Sequence, residues 1–355
     1  MEPILIAGKF AIAGTPIACE PFGHGHINQT YKVTTDAGCS YVLQRINKYV
    51  FKNPPALMDN ASRVTEFIRA KGELALHFLV TGDGTCCFCD DAQEYWRCYE
   101  FVEGFSMDAP RNGEDFYQSA LAFGRFQHQL SDFPAETLCE TIPNFHNTPD
   151  RYRQFKETVA ADPMGRLADV REDVDFYLEC EEMGSRLQNM LQNGILPLRV
   201  THNDTKLNNV LLDNATGKPM CVLDLDTVMP GLSAYDYGDS IRFGACTAVE
   251  DEQDASKMKL DADLFRVYTK GFLEAATSLT DAEVAALPLG AFTMTLECGS
   301  RFLKDYLDGD KYFRTAYPTH NLVRSRTQMA LCRDMLKRWD EMEQIVREVA
   351  AEVRA

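Results

Sequence analysis

Positive charge is scarce in this chain. Its 36 Lys and Arg face 53 Asp and Glu, a formal net charge of −17. A protein that tracks the phosphates of DNA or RNA needs the opposite balance. No run of basic residues makes a local exception, so no nucleic-acid partner is expected. Long apolar runs are also missing: no segment approaches the roughly 18 residues that a membrane-spanning helix requires, and no membrane partner is expected. The opening Met1-Glu2-Pro3-Ile4 has neither the basic head nor the apolar stretch of an export signal. Internal repeats and low-complexity linkers are absent as well, which removes solenoids and tethered arrays.

What is there describes an ordinary globular chain. Hydrophobic residues make up 45% and charged residues 25% of 355. At about 150 residues per domain, that length suggests two domains or one two-lobed fold. The twelve Cys follow no disulfide framework, and without an export signal they read as reduced thiols in a cytoplasm. In Cys86-Cys87-Phe88-Cys89, neighbouring side chains on a strand point to opposite faces, so small buried hydrophobes are expected there rather than a zinc site.

The first hundred residues read as strand-rich. Ile17 to Glu20 and Gln29 to Thr34 flank Phe22-Gly23-His24-Gly25-His26, and Tyr41-Val42-Leu43 makes a third strand. Pro54-Pro55 opens a helix to about Lys71, with Leu57, Ala61, Val64 and Ile68 on one face. Strands around Cys86 to Asp90 and Tyr95 to Phe101 follow. After Gly104 the pattern becomes helical, with long helices expected at Glu114 to Leu130, Asp173 to Gln192 and Asn321 to Val349. A short hairpin, Val210 to Leu212 and Cys221 to Leu223, is the exception. The expected division is a nucleotide-binding N-terminal lobe, 1–103, and a catalytic and substrate-binding C-terminal lobe, 104–355.

The segment Thr201-His202-Asn203-Asp204-Thr205-Lys206-Leu207-Asn208-Asn209 has the form H-x-D-x-x-x-x-N. It precedes the hairpin, whose second strand runs into Asp224-Leu225-Asp226. Phosphoryl transfer asks little of a protein. One carboxylate orients the attacking hydroxyl, and an amide oxygen and a second carboxylate hold the metal that bridges the phosphates. Asp204, Asn209 and Asp224 supply that set in the required order, and Lys206 can neutralise charge on the transferring group. A turn-forming role for the Asx residues would leave the His, the Lys and the spacing unexplained.

These parts resemble the aminoglycoside phosphotransferase and choline kinase family over nearly the whole chain. The resemblance implies an α+β, two-lobed protein-kinase-like fold: a small antiparallel-sheet N-lobe with one helix, and a larger, mainly helical C-lobe. It implies ATP and Mg²⁺ as cofactors, with Gly23, Gly25, Gln44, Glu100 and Val102 at the nucleotide; Tyr99 to Gly104 looks like the family's hinge. Within the family, Gly25-His26-Ile27-Asn28, Arg199 to Asn209, Tyr237 to Gly244 and Glu297 to Leu303 are similar to the N-acetylhexosamine 1-kinases of bacteria. That similarity implies a kinase acting on the anomeric C1 hydroxyl of a small sugar, with His26, Asp204, Phe243, Arg301 and Tyr312 at the substrate and a sugar 1-phosphate as product. A cytoplasmic monomer is expected. The resemblance also gives Asp236 the task of bracing the catalytic loop, and leaves Asp239 and Arg242 either paired or facing the sugar.

One position departs from the family pattern. Where a Lys usually follows the Val-Leu pair of the third strand, this chain has Gln44, which cannot supply a positive charge to the phosphates. The alternatives are a kinase of another alcohol (an aminoglycoside, choline, ethanolamine, homoserine or a different hexose) and a nucleotide-binding pseudokinase. The two Trp, Trp96 and Trp339, are expected in the small lobe and the last helix, which does not favour an aromatic cage for a quaternary ammonium.

Overall fold

Alternation along the first strands gives one sheet two unlike faces. The computed structural model describes residues 1–23 and 27–355. Two units form: Met1–Ser106 with Asp132–Pro143 and Leu211–Pro230, and Met107–Ser131 with Asn144–Val210 and Gly231–Ala355.

The first unit holds a short helix α1 (Pro3–Ala7), strands β1 (Pro16–Pro21), β2 (Gln29–Thr35) and β3 (Ser40–Ile46), helix α2 (Pro54–Ala70), and strands β4 (Phe88–Cys89) and β5 (Tyr95–Glu100). The antiparallel sheet runs β1-β2-β3-β5-β4. On one face Val33, Tyr41, Leu43, Trp96 and Cys98 form a core with Ile6, Ala7 and Phe10 from α1 and the segment after it. Residues on the opposite face, Thr30, Gln44 and Arg97, lie directly across from one another on β2, β3 and β5. Helix α2 starts where expected because Asn53 caps it, its side chain accepting from the Ala56 N–H, and because prolines suit its first turn. Inside it, Asn60 donates to the carbonyls of Cys139 (2.8 Å) and Val228 (2.9 Å), tying two later segments of the same unit to the helix.

The second unit is mainly helical: α3 (Gly113–Gln129), α4 (Thr148–Ala161), α5 (Arg171–Glu179), α6 (Glu181–Gln192), α7 (Ser233–Gly244), α8 (Ala262–Ala275), α9 (Asp281–Ala285), α10 (Leu287–Asp308), α11 (His320–Lys337) and α12 (Trp339–Arg354). Helix α10 is buried along almost its whole length and packs against α7, α11, α4 and α6. Two expected long helices are each broken in two. Asp173 to Gln192 bends at Cys180, so that α5 meets α11 while α6 meets α4 and α10. Asn321 to Val349 bends at Arg338, whose guanidinium donates to the Leu260 carbonyl at 2.6 Å; α11 stays on α10 and α12 turns onto α8 and α9. Among the described residues, no helix is long and apolar enough to cross a membrane. A small antiparallel-sheet unit and a larger helical one are the expected α+β architecture, with two later segments of the chain returning to the sheet unit.

Candidate active site

The loop between the short strand Arg199–Thr201 and the hairpin strand Val210–Leu212 has little regular structure, and side chains from α7 hold it. Asp236 is fully buried and accepts the N–H groups of His202 (2.9 Å) and Asn203 (2.8 Å) and Nε2 of Gln127 (2.7 Å). Asp239 accepts the Thr205 N–H at 3.0 Å, and Ser240 donates to the Thr205 carbonyl at 2.8 Å. Asn203 has φ +63°, in the left-handed region that Asn tolerates better than most residues. The His202 ring is buried edge-on to Phe123 and Phe126 of α3, with centroids 5.4 and 5.9 Å away, so its part is to anchor the loop.

What the loop presents is Asp204. Its carboxylate pairs with Lys206 Nζ at 2.7 Å and accepts from Asn209 Nδ2 at 3.1 Å; the same amide nitrogen reaches the Asp204 carbonyl at 2.8 Å. Burial alone would lower the Lys206 ammonium, but the Asp204 charge beside it more than offsets this and leaves it above its ordinary value. With Nδ2 committed to Asp204, the Asn209 amide oxygen is the end left to ligate a hard cation. The structure thus brings Asp204, Lys206 and Asn209 together. It also pairs the buried Arg242 with buried Asp239 at 2.9 Å and with half-buried Glu250 at 2.6 Å, which assigns that arginine to bracing.

In the first unit, Asp224-Leu225-Asp226 divides its labour. Asp224 is exposed, has φ +54° and precedes a single turn of helix, Leu225–Thr227. Asp226 is buried and forms an ion pair with Arg97, which is 2% exposed. Its second oxygen accepts Asn28 Nδ2 at 2.6 Å. Removing one partner of such a pair typically costs about 3–5 kcal/mol, because the other charge is left buried and alone. Gln44 has both ends engaged, donating to Thr30 Oγ1 (3.0 Å) and accepting from Arg97 Nε (2.8 Å). Glu66 is exposed on α2 and takes no part in this network. Sequence reasoning missed Arg97 and Asp226; the signal was an arginine inside the apolar run between Trp96 and Cys98.

The other expected residues are more scattered. Gly23 has φ +77°, a conformation open to glycine, whereas Gly25 and His26 lie outside the described residues. The Glu100 and Phe101 N–H groups donate to the carbonyls of His77 and Ser40 at 3.1 Å each, and Val102 follows just beyond the sheet. Phe243 is half-buried near the end of α7. Arg301 and Tyr312 line a cavity of about 320 Å³ in the second unit, with Arg151, Lys304, Lys311 and Phe313. The Arg301 guanidinium lies 5.5 to 5.7 Å from the ring centres of Phe145, Tyr312 and Phe313. Asp305, four residues on, accepts the N–H groups of Lys311, Tyr312 and Phe313 at 2.8–3.0 Å and so shapes the rim.

A small antiparallel-sheet unit and a larger helical unit are the parts of a protein-kinase-like fold. Residues 18–270 match the phosphotransferase enzyme family, APH, and the chain belongs to that family. Solved structures with the same fold include the microcompartment-associated aminopropanol kinase, at a TM-score of 0.65 and 14% identity over 96% of this chain and 97% of that one. An amicoumacin kinase in complex with AMP-PNP and Ca²⁺ gives 0.61 and 14% over 92% of each chain. The choline kinase of Cryptosporidium parvum Iowa II gives 0.55 and 13% over 93% and 92%.

Proposed function

We propose that this protein is an ATP- and Mg²⁺-dependent kinase that phosphorylates the anomeric C1 hydroxyl of N-acetylhexosamines, N-acetylglucosamine or N-acetylgalactosamine, to give the sugar 1-phosphate. The observation that carries the chemistry is the Asp204 carboxylate held between Lys206 and Asn209. In this reading Asp204 orients the sugar hydroxyl and accepts its proton as the new O–P bond forms and ADP leaves. Lys206 balances charge on the transferring group. Asn209 and Asp224 would hold Mg²⁺, which would supply charge neutralisation at the phosphates. Among the described residues there is no cluster of three or more His, Cys, Asp or Glu suited to a metal. The donor types suit Mg²⁺ nonetheless, since this ion takes one or two protein oxygens alongside substrate phosphates. The nucleotide is assigned to Gly23, Gly25 and the Glu100 to Val102 segment.

The sugar is assigned to the Arg301 and Tyr312 cavity, with Phe243 and His26. Its lining supports a neutral acceptor over a cationic one. Four cations, Arg151, Arg301, Lys304 and Lys311, line it with two carboxylates, Asp305 and Asp308, and the charge of the buried Glu297 also reaches Arg151 and Arg301. Asp305 is occupied by backbone N–H groups, and Asp308 pairs with Lys304 at 2.5 Å. A quaternary ammonium or a polycationic antibiotic would meet repulsion there. Neutral sugars with hydroxyls and an acetamido group would find donors and aromatic faces.

The test is ATP- and Mg²⁺-dependent phosphate transfer to N-acetylhexosamines, plain hexoses, kanamycin, aminopropanol and choline, with Asp204→Asn as control. Turnover of the acetylated sugars is expected, with kcat lower in the variant by about 10²–10⁴-fold, the usual share of general base catalysis. Turnover of another acceptor would keep the kinase and discard the sugar. Bound ATP without turnover of any acceptor would indicate a pseudokinase.

A further inference from the structure

We propose that Arg97 is the positioning residue of the metal-binding turn, and that Gln44 is neutral because it must hold that arginine. The proposal rests on the reading that Asp224 ligates the metal.

Three residues in cross-strand register start the argument. Thr30, Gln44 and Arg97 stand opposite one another on β2, β3 and β5, the geometry in which neighbouring side chains interact directly. Gln44 bonds Thr30 through its amide nitrogen and Arg97 through its amide oxygen. That orientation is dictated by the arginine, which can only donate. A lysine at position 44 would set an ammonium against a buried guanidinium. Directly beside Gln44 the positive charge therefore sits on Arg97 of β5, and β3 carries the acceptor that orients it.

The guanidinium then passes the constraint onward. Its Nη1 pairs with Asp226, whose other oxygen is held by Asn28; Asn28 in turn accepts the Asn47 N–H at 3.0 Å. Asp226 is thus fixed on both oxygens, and Leu225 beside it is buried. Only Leu225 separates Asp226 from Asp224, and the backbone here is the left-handed Asp224 followed by the first residues of a helical turn. With Leu225 buried and Asp226 held on both oxygens, the backbone that carries the exposed Asp224 is fixed from its C-terminal side. The Asp224 charge is also felt at the guanidinium. Stability alone does not call for such a pair, since well-packed apolar residues commonly replace a buried ion pair without loss. A hydrogen-bonded hold on the backbone that carries Asp224 is what apolar residues would not provide.

The experiment reads metal binding directly. Mn²⁺ serves as a paramagnetic probe, titrated by electron paramagnetic resonance in the presence of saturating AMP-PNP, with thermal unfolding and steady-state kinetics alongside. The central variant is the double substitution Arg97→Gln with Asp226→Asn, which removes both charges and leaves neither orphaned. It is expected to unfold within a few degrees of the native protein yet bind Mn²⁺ about tenfold or more weakly, the scale seen when a partner behind a metal ligand is lost. Gln44→Lys is expected to weaken Mn²⁺ binding as well, despite adding positive charge near the phosphates. Arg97→Lys should fall between native and double variant. A folded double variant with Mn²⁺ affinity within twofold of native overturns the proposal. If the double variant does not fold, Gln44→Lys decides: weaker binding supports the proposal, and unchanged or tighter binding overturns it. A native protein that binds Mn²⁺ with AMP-PNP but transfers phosphate to no acceptor would fail the sugar reading alone, and the Mn²⁺ comparison would still decide on Arg97. A native protein that binds no Mn²⁺ with AMP-PNP would overturn the proposal together with the metal assignment of Asp224.

Discussion

At the scale of single residues, Asp236 has the largest leverage on the chemistry without touching it. Burial pushes its carboxyl above the usual value, although His202 and the three donated hydrogen bonds oppose that shift. Asp236→Ala would orphan two buried amide N–H groups, each costing about 1–3 kcal/mol, and would free the backbone just ahead of Asp204. A displacement of about 1 Å in a reacting group is worth up to roughly 10²-fold in rate. Asp236→Ala is therefore expected to lower kcat by about that factor and to lower the melting temperature, as read by steady-state assay and thermal unfolding; a native kcat would show that the loop holds itself. Residues of this kind were unequally legible in the sequence. The His-Asp-Asn spacing is local, so Asp204 and Asn209 could be picked out together. Asp239 and Arg242, three apart, could not be settled between pairing and substrate contact until their 2.9 Å ion pair was seen. Arg97 and Asp226 are 129 residues apart, and no local pattern joins them.

At the scale of elements, close approach of helices carries the second unit. A Cβ on Gly238 of α7 would fall inside van der Waals contact with the Gly290 carbonyl of α10, and one on Gly290 would do the same to the Ala234 carbonyl. These glycines let the two helices touch backbone to backbone, and α7 carries Asp236 and Asp239 at that contact. Gly238→Ala should force the helices apart and destabilise the fold by about 1–3 kcal/mol, as overpacking does. It should appear as a lower urea midpoint at an unchanged m-value. Periodicity made most helices readable, because their apolar stripes repeat over several turns. It did not reveal the bends at Cys180 and Arg338, where neither Gly nor Pro marks a stop. Nor did it reveal α1, whose five residues are too few to show a period.

At the scale of the whole molecule, an acidic chain places several carboxylates in buried positions beside cations. Burial would raise Asp239, Glu283 and Glu297, but Arg242 and Lys206 hold the first below its ordinary value, Arg199 the second, and His146 with Arg301 the third. A carboxyl depressed in the folded state stabilises the fold above its unfolded pKa, and this contribution is lost as pH falls through the folded value. Asp236 has the opposite sign: its raised pKa opposes folding at neutral pH, and protonation relieves that. Depressed carboxyls, which also include Asp90, Asp115 and Asp150, outnumber the raised Asp236 and predict a melting temperature that is level from about pH 7 to 5 and falls below about pH 4.5. Melting curves across that range check it, and a rise on acidification would mean that Asp236 outweighs the rest.

The row Thr30, Gln44 and Arg97 has a consequence for how such sequences are sorted. A sheet is a two-dimensional lattice, and moving a charge sideways by one strand displaces it by only about 4.8 Å. Along the chain, the same move carries it from position 44 to position 97. A census that scores catalytic competence by one lysine in one column of a linear alignment compares addresses, whereas a sheet couples residues across its strands. Chains with a neutral third strand therefore deserve a look at the residue facing it across the ladder before they are filed as inactive.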